Sequence, residues 1–592
     1  MAEQMITLTI DGKQITVPRG TKILDACRLA SVEVPTLCYL EGVSEHGSCG
    51  VCVVEVEGVK RLIRSCKHVA QPNMVIHTHS QRVLKARKLN VELLLANHPL
   101  LCTTCERNLN CELQAIAQQL GVRESRFERT KKKMMSQDSS SALVRDPNAC
   151  ILCNRCIEVC SSMQNVNAIQ MVGRGLGTKV STFFDQGLAN SVCINCGQCS
   201  LVCPTGAITE KSQEQEVFDI LADPDLVVLV QTAPAIRVGL GEAMGMERGS
   251  LVTEKMVSAL RALGFDKVFD TNFAADLTIM EEAYELISRV SNKGTLPMIT
   301  SCSPGWIKFI ETFYPDQVGH LSTCKSPQQM FGAIAKTYWA QKAQVDPRSI
   351  RVVSIMPCTA KKFEAGRSEM DSAFGYWKEK LNLTEDDRFC DVDYALTTRE
   401  LARMLKTVGI DFAHLEDGLF DDPLGASTGS AALFASSGGV MEAALRTAYE
   451  KLTNTTFEQL EFAPLRQQLG MKEASVQIGD ATIKVAVANT LANARVLLEQ
   501  IKEGTSPYTF IEVMTCPDGC LGGGGQPIPT TKEIRAKRAQ SIFAEDSRMP
   551  IRKSHENPSI LQLYDSFLEK PLGTMSHHLL HTTYIKRDAY QG

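Results

Sequence analysis

The 592-residue sequence has no apolar run approaching the roughly 18 residues a membrane helix needs, so a membrane is not an expected partner. It has almost no net charge. Lys and Arg number 63 against 67 Asp and Glu, a balance of −4, which gives no case for nucleic acid or an anionic lipid surface. The opening residues, Met-Ala-Glu-Gln-Met-Ile-Thr-Leu-Thr-Ile, start a strand pattern. They lack the basic start and apolar core of a secretory signal, and no twin-arginine leader is present, so the expected compartment is the cytoplasm. A glycine-rich nucleotide loop between a strand and a helix is also lacking. Hydrophobic content of 44% with 22% charged residues fits a globular chain with a large core, and the length suggests about four domains.

Cysteine is what the sequence has in quantity. Twenty-two cysteines at metal-like spacings, in a chain this long, exclude a disulfide framework and imply a reducing interior. Cys150-Ile-Leu-Cys153-Asn-Arg-Cys156-Ile-Glu-Val-Cys160 is answered by Cys193-Ile-Asn-Cys196-Gly-Gln-Cys199-Ser-Leu-Val-Cys203-Pro204. This doubled C-x2-C-x2-C-x3-C run is the spacing of two [4Fe-4S] cubanes, the fourth cysteine of each run ligating the other run's cluster. The expected sets are Cys150, Cys153 and Cys156 with Cys203, and Cys193, Cys196 and Cys199 with Cys160. Ser161 stands where Pro would follow the first run; Pro shapes the exit turn and binds no iron. Such a chain moves single electrons.

Residues 5–17 read as a hairpin around Asp11-Gly12, with a helix from about Lys22 to Ala30. Cys38, Cys49, Cys52 and Cys66 follow on a small β-rich unit and suit a [2Fe-2S] cluster. Gly47 and Gly50 flank the close pair, where backbone must approach sulfur. Cys27 reads as a small buried hydrophobe. Residues 81–120 are helical and carry His98, Cys102, Cys105 and Cys111, four ligands that suit a [4Fe-4S] cluster with one imidazole; zinc is the alternative. The basic, serine-rich stretch from Arg129 to Ser141 reads as a linker.

From about residue 225, buried-strand runs alternate with amphipathic helices, the rhythm of α/β architecture. Three strands end in cysteine motifs: Thr300-Ser-Cys302-Ser-Pro-Gly-Trp306, Met356-Pro-Cys358-Thr-Ala-Lys361-Lys-Phe-Glu364 and Met514-Thr-Cys516-Pro-Asp-Gly-Cys520-Leu-Gly-Gly-Gly-Gly525. Ligands of open α/β sheets gather at strand carboxyl ends, so these remote motifs can converge. On these motifs, and over essentially its whole length, the chain resembles the [FeFe]-hydrogenases with a full accessory-cluster set.

The resemblance implies a multidomain α+β and α/β fold. Its parts are a β-grasp [2Fe-2S] ferredoxin domain (1–80), a His/Cys [4Fe-4S] domain (81–130), a bacterial two-[4Fe-4S] ferredoxin domain (131–210) and an α/β catalytic domain (211–592). The last includes a C-terminal small-subunit-like segment. It implies reversible oxidation of H2 to protons and electrons at an H-cluster, a [4Fe-4S] cubane joined to a diiron unit carrying CO, CN⁻ and azadithiolate. One [2Fe-2S] and three accessory [4Fe-4S] clusters complete the cofactors. Cys358, Cys516 and Cys520 would hold the cubane, Cys520 also bridging to the diiron unit, with the Gly522–Gly525 run packing backbone against the cofactor. Lys361 would donate to a cyanide. Ala233, Pro234, Gln328, Met356, Phe434 and Met514 would form the pocket wall.

One departure matters. Where the family has two adjacent cysteines, a proton relay and then a cubane ligand, this chain has Cys302-Ser303. The fourth ligand is open between Ser303, Cys302 and Cys324, with Cys302 expected to keep the relay position; an ordinary thiol pKa would suit it. Glu282, Glu285 and Arg289 share one helix face and, with Ser322, match the family's proton chain; a solvated face with an ion pair is the alternative. The resemblance is to catalytic subunits of NAD(P)-linked, electron-bifurcating enzymes, so flavin- and NAD(P)-binding partner subunits, ferredoxin and hydrogenase maturation proteins are the expected partners. A stand-alone ferredoxin-linked enzyme, an H2 sensor, an assembly protein, or an electron-transfer subunit like the iron–sulfur arm of respiratory NADH dehydrogenase are the alternatives.

Overall fold

The computed structural model describes residues 4–127, 136–458, 460–468, 470–478 and 481–589. The basic part of the expected linker, 128–135, lies outside the described residues. The expected hairpin is present: Met5–Ile10 pairs antiparallel with Lys13–Pro18, and both Asp11 and Gly12 take positive φ, as a two-residue turn demands. Met5–Ile10 pairs in parallel with Val75–His77, and Val53–Val56 lies antiparallel to Val75–His77 and Ile63–Arg64. Helix Ile23–Leu29 buries Ile23, Leu24, Ala26 and Cys27 in this core, so Cys27 is a packing residue.

Helices Gln81–Leu95 and Glu112–Gln119 follow, joined through Val91, Leu113 and Ile116 in a small core that also takes Cys49, Cys111 and Ile151. In the doubled run, Asn154 and Gly197 occupy equivalent places between the second and third cysteines. Both take left-handed backbone (φ 68° and 69°) and start helices Arg155–Glu158 and Gln198–Val202. Asn and Gly are the residues that reach that conformation cheaply. At Ser161 the chain continues into a π-turn, Val159–Met163, which a proline would obstruct. It delivers Gln164, whose Nε2 donates to the Thr515 carbonyl at 2.9 Å, fastening this unit to the following one.

The remainder is built on two four-stranded sheets. In the first, Lys267–Asp270, Val227–Thr232, Ile350–Met356 and Tyr394–Thr397 are all parallel. In the second, Met298–Ile299, Phe510–Met514 and Ala481–Asn489 are parallel, and Met471–Ile478 closes the edge antiparallel. Met298–Ile299 is short, but Thr300 N still donates to the Ile511 carbonyl at 3.0 Å. Helix Thr271–Ser291, capped by Asp270, is buried along most of its length. Helices Lys532–Arg548, Pro558–Leu563 and Thr574–Leu580 close the chain. Among the described residues no helix is long and apolar enough to cross a membrane.

Candidate active site with its electron and proton routes

The carboxyl ends of strands from both sheets open onto one cavity. Cys302, Cys358, Cys516 and Cys520 all line it, from loops after Met298–Ile299, Ile350–Met356 and Phe510–Met514. Each expected wall residue lines it too: Ala233, Pro234, Gln328, Met356, Phe434 and Met514, with Lys361 between them. Burial pushes the Cys520 thiol up to about 12 and raises those of Cys358 and Cys516, with Lys361 the nearby cation for Cys358 and Cys520. A bound metal supplies the charge that deprotonates such thiols outright, so the donor set fits a soft metal centre.

Lys361 is held in place rather than free. Its Nζ donates to Glu364 Oε2 at 2.8 Å and to the Cys302 carbonyl at 3.3 Å. Glu364 also accepts from Ser326 and from Gln328 Nε2, and Gln328 Oε1 accepts from Ser354 at 2.9 Å. Glu364 was visible in its motif without a role; its burial and three donors supply one. Glu512, on the strand leading to Met514, accepts the backbone N–H groups of Gly438 and Met441, which ties down the loop of Phe434. No motif marks Glu512.

Gly523 of the Gly522–Gly525 run lines the cavity, and the run also brings loops together. A Cβ on Gly523 would lie 2.0 Å from the Pro357 carbonyl oxygen, and one on Gly524 2.2 Å from that of Cys196. The glycines let three loops touch backbone to backbone. Gln198 Nε2 donates to the Gly522 carbonyl at 2.8 Å, and Thr359 Oγ1 to that of Asn195 at 2.7 Å. Cys196 therefore lines the cavity itself.

In the doubled run, thiols from the two halves come together. Cys150, Cys153, Cys156 and Cys203 line one cavity. Cys160 and Cys193 lie within each other's field, and Cys199 within that of both. His98, Cys102, Cys105 and Cys111 line another cavity, against the first set: Cys111 Sγ donates to the Pro204 carbonyl at 3.6 Å. In the N-terminal unit Cys52 Sγ lies 3.3 Å from Cys66 Sγ, and Cys38 lies beside Cys49 and Cys66. Gly47 and Gly50 beside them take positive φ.

Glu282 and Glu285 are buried, not on a solvated face; only Arg289 is partly exposed. The Ser322 hydroxyl donates to Glu285 Oε2 at 2.8 Å, and Arg289 Nη2 to Glu285 Oε1 at 2.7 Å. Burial, and then Glu285, push the Glu282 carboxyl up to about 8; neither of its buried oxygens has a hydrogen-bond partner among the described residues. The expectation that Cys302 keeps an ordinary thiol pKa is corrected: burial, reinforced by Glu282, raises it well above that range. Cys324 is also corrected as a fourth-ligand candidate. Its Sγ points at Glu285, 3.8 Å away, and it does not line the cavity, whereas Ser303 does and hydrogen-bonds Thr515 Oγ1 at 2.8 Å. Cys390 lies at a surface cleft, donating to the Val392 carbonyl.

The model of the iron only hydrogenase large subunit, C-terminal domain, matches residues 226–524, and that of the iron hydrogenase small subunit matches 532–587. The chain belongs to the iron-only hydrogenase family. Ahead of the hydrogenase domain, a 2Fe-2S iron-sulfur cluster binding domain matches 3–81. The NADH-ubiquinone oxidoreductase-G iron-sulfur binding region matches 87–126, and a 4Fe-4S dicluster domain matches 149–207. The chain thus binds iron–sulfur clusters, and the match over 87–126 favours iron–sulfur over zinc at His98. The match to the respiratory enzyme's region lies in this front part. The NADP-reducing hydrogenase subunit HndD of Solidesulfovibrio fructosivorans is 48% identical, covering 98% of this chain and 99% of its own length. Iron hydrogenase 1 of Clostridium pasteurianum is 37% identical over 98% and 100%. An apo [FeFe]-hydrogenase structure from Chlamydomonas reinhardtii superposes with a TM-score of 0.56 at 40% identity, covering 64% of this chain and 100% of its own.

Proposed function

We propose that this iron-only hydrogenase chain is a catalytic subunit interconverting H2 with protons and electrons. The observation that carries the reading is the meeting of Cys358, Cys516 and Cys520 in one apolar cavity, beside Lys361 and against Cys196. Cys358, Cys516 and Cys520 would hold the cubane of an H-cluster. Ser303, which faces the cavity as Cys324 does not, would complete its ligation. When bound, the diiron unit with its CO, CN⁻ and azadithiolate supplies the chemistry of H–H cleavage.

The chain's own residues do the rest. Ala233, Pro234, Met356, Phe434 and Met514 exclude water and lower the local dielectric. Lys361, fixed by Glu364, presents a point charge toward a cyanide. The Cys302 thiol, kept protonated by burial, holds the transferable proton nearest the cavity. Glu282, protonated at neutral pH, gives its own proton onward through Ser322 and Glu285 toward the surface at Arg289 and is reprotonated from Cys302.

Electrons would leave the cavity through the Cys193 and Cys150 sets, with the His98 and Cys38 sets as two further exits. We infer one [2Fe-2S] and three accessory [4Fe-4S] clusters along this route. The 48% identical relative is named as a subunit of an NADP-reducing hydrogenase, which supports flavin- and NAD(P)-binding partner subunits here, in the cytoplasm, with ferredoxin as the runner-up acceptor. Infrared spectra of protein loaded by maturation proteins test the core of the proposal. CO and CN⁻ stretches with H2 uptake and evolution are expected. Absence of the bands overturns it, and bands without turnover indicate a sensor.

A further inference from the structure

Glu285 has neighbours that the Arg289 outlet does not use. The segment after Thr574–Leu580 runs back beside the Ser322–Lys325 loop. Thr582 N donates to the Thr323 carbonyl and Lys325 N to the Leu580 carbonyl, both at 2.8 Å, and Cys324 and His581 form a β-bridge. This backbone pairing seats a histidine on the proton chain. Ligand atoms of Glu285, Cys324 and His581 all lie within 4.8 Å of one another, and all three residues are buried. That gap is one thiol or one water wide.

The imidazole is set up to carry a proton rather than merely to fill space. Its Nδ1 lies 2.8 Å from Thr323 Oγ1 and its Nε2 3.1 Å from Glu281 Oε2. Glu281, fully buried, is itself anchored by the Tyr564 hydroxyl at 2.5 Å and the Leu572 N–H at 2.9 Å. A carboxylate fixed behind an imidazole orients it and stabilises the imidazolium that forms on proton uptake. On its other side the His577 ring lies at 4.2 Å between centroids, and His577 is exposed.

We propose that His581 and His577 form a second proton outlet that branches from Glu285, beside the outlet at Arg289. In the H2-oxidising direction the Glu285 carboxyl gives its proton to His581, directly or through the Cys324 thiol, and is left as carboxylate. His581 passes a proton to His577, which releases it to solvent. No electron moves and no co-reactant is needed; evolution runs the same transfers in reverse. The branch rests on the proton chain proposed above.

The test uses matured holoenzyme and four variants: Glu282→Gln, Arg289→Gln, His577→Gln and Arg289→Gln combined with His577→Gln. His577 is exposed, so its replacement does not threaten folding. If outlets run in parallel, each single outlet variant should lose about two- to fivefold in H2 oxidation. The double variant should lose more than the product of the two, with a larger solvent deuterium isotope effect and partial rescue by added imidazole. A double variant no worse than that product, with an unchanged isotope effect, overturns the branch while Glu282→Gln still abolishes turnover. If Glu282→Gln turns over at the parent rate, the shared chain itself falls, and the branch with it.

Discussion

Lys361 Nζ and Glu364 Oε2 form a 2.8 Å ion pair, with both side chains nearly out of solvent, at the wall of the cysteine cavity. Separated by three residues on helix Ala360–Ala365, they fix one another, and the carboxylate also holds Ser326 and Gln328. Glu364→Ala leaves a buried lysine uncompensated, a loss of about 3 kcal/mol or more. Unfolding by denaturant should show that loss. Infrared bands of the matured variant should be weak while the accessory-cluster EPR signals persist; full-intensity bands would contradict the positioning role.

Glu282 predicts a pH dependence whose sign is fixed. Its folded pKa is raised from 4.5 to about 8, so the folded chain keeps this proton where the unfolded chain has released it. Its contribution to stability is complete below pH 4.5 and declines as pH rises toward 8, by up to about 1.4 kcal/mol per pH unit. Glu282→Gln should flatten that slope in denaturation curves at pH 5 and 8. It should also cut turnover by roughly 10²–10⁴-fold, since the amide relays no proton.

Gly524 tolerates no side chain. A Cβ there would sit 2.2 Å from the Cys196 carbonyl and 2.8 Å from Gly197 Cα, backbone that cannot step aside. Gly524→Ala should cost at least about 1–3 kcal/mol and lower the melting temperature. Gly177→Ala, where no atom lies within 4 Å, should melt with the parent.

His98→Cys replaces a neutral imidazole by a thiolate and makes that cluster more negative. Its reduction potential should fall in an EPR-monitored redox titration, the other clusters being unmoved. An unchanged potential would mean that His98 is not a ligand.

Ser303 separates two kinds of ligation. Ser303→Cys should retain the cubane, and Ser303→Ala should lose it from protein prepared without diiron maturation, as read by iron content and EPR. A stable cubane in the alanine variant would return the fourth position to Cys302.

The hairpin at Asp11-Gly12, the doubled cysteine run and the cavity-lining cysteines were readable from local spacing, because turn chemistry and cluster ligation are written over a few residues. Cys324 was not. Its place in sequence allowed it to reach the cavity, but its thiol turns toward Glu285 and His581. The glycine run was readable as a close approach, yet its partners, the Pro357 and Cys196 carbonyls, come from segments far away in sequence. Glu512 and His581 carry no motif at all; only burial and partners mark them.

The sequence by itself determined which atoms can bind iron and which segments carry them, since ligand type and spacing are properties of the chain. Tertiary structure decided which of those segments share one dry cavity, which carboxyl keeps its proton, and which loop lies against which. Burial and contact between remote segments set those outcomes, and neither exists until the two sheets and the closing helices have packed.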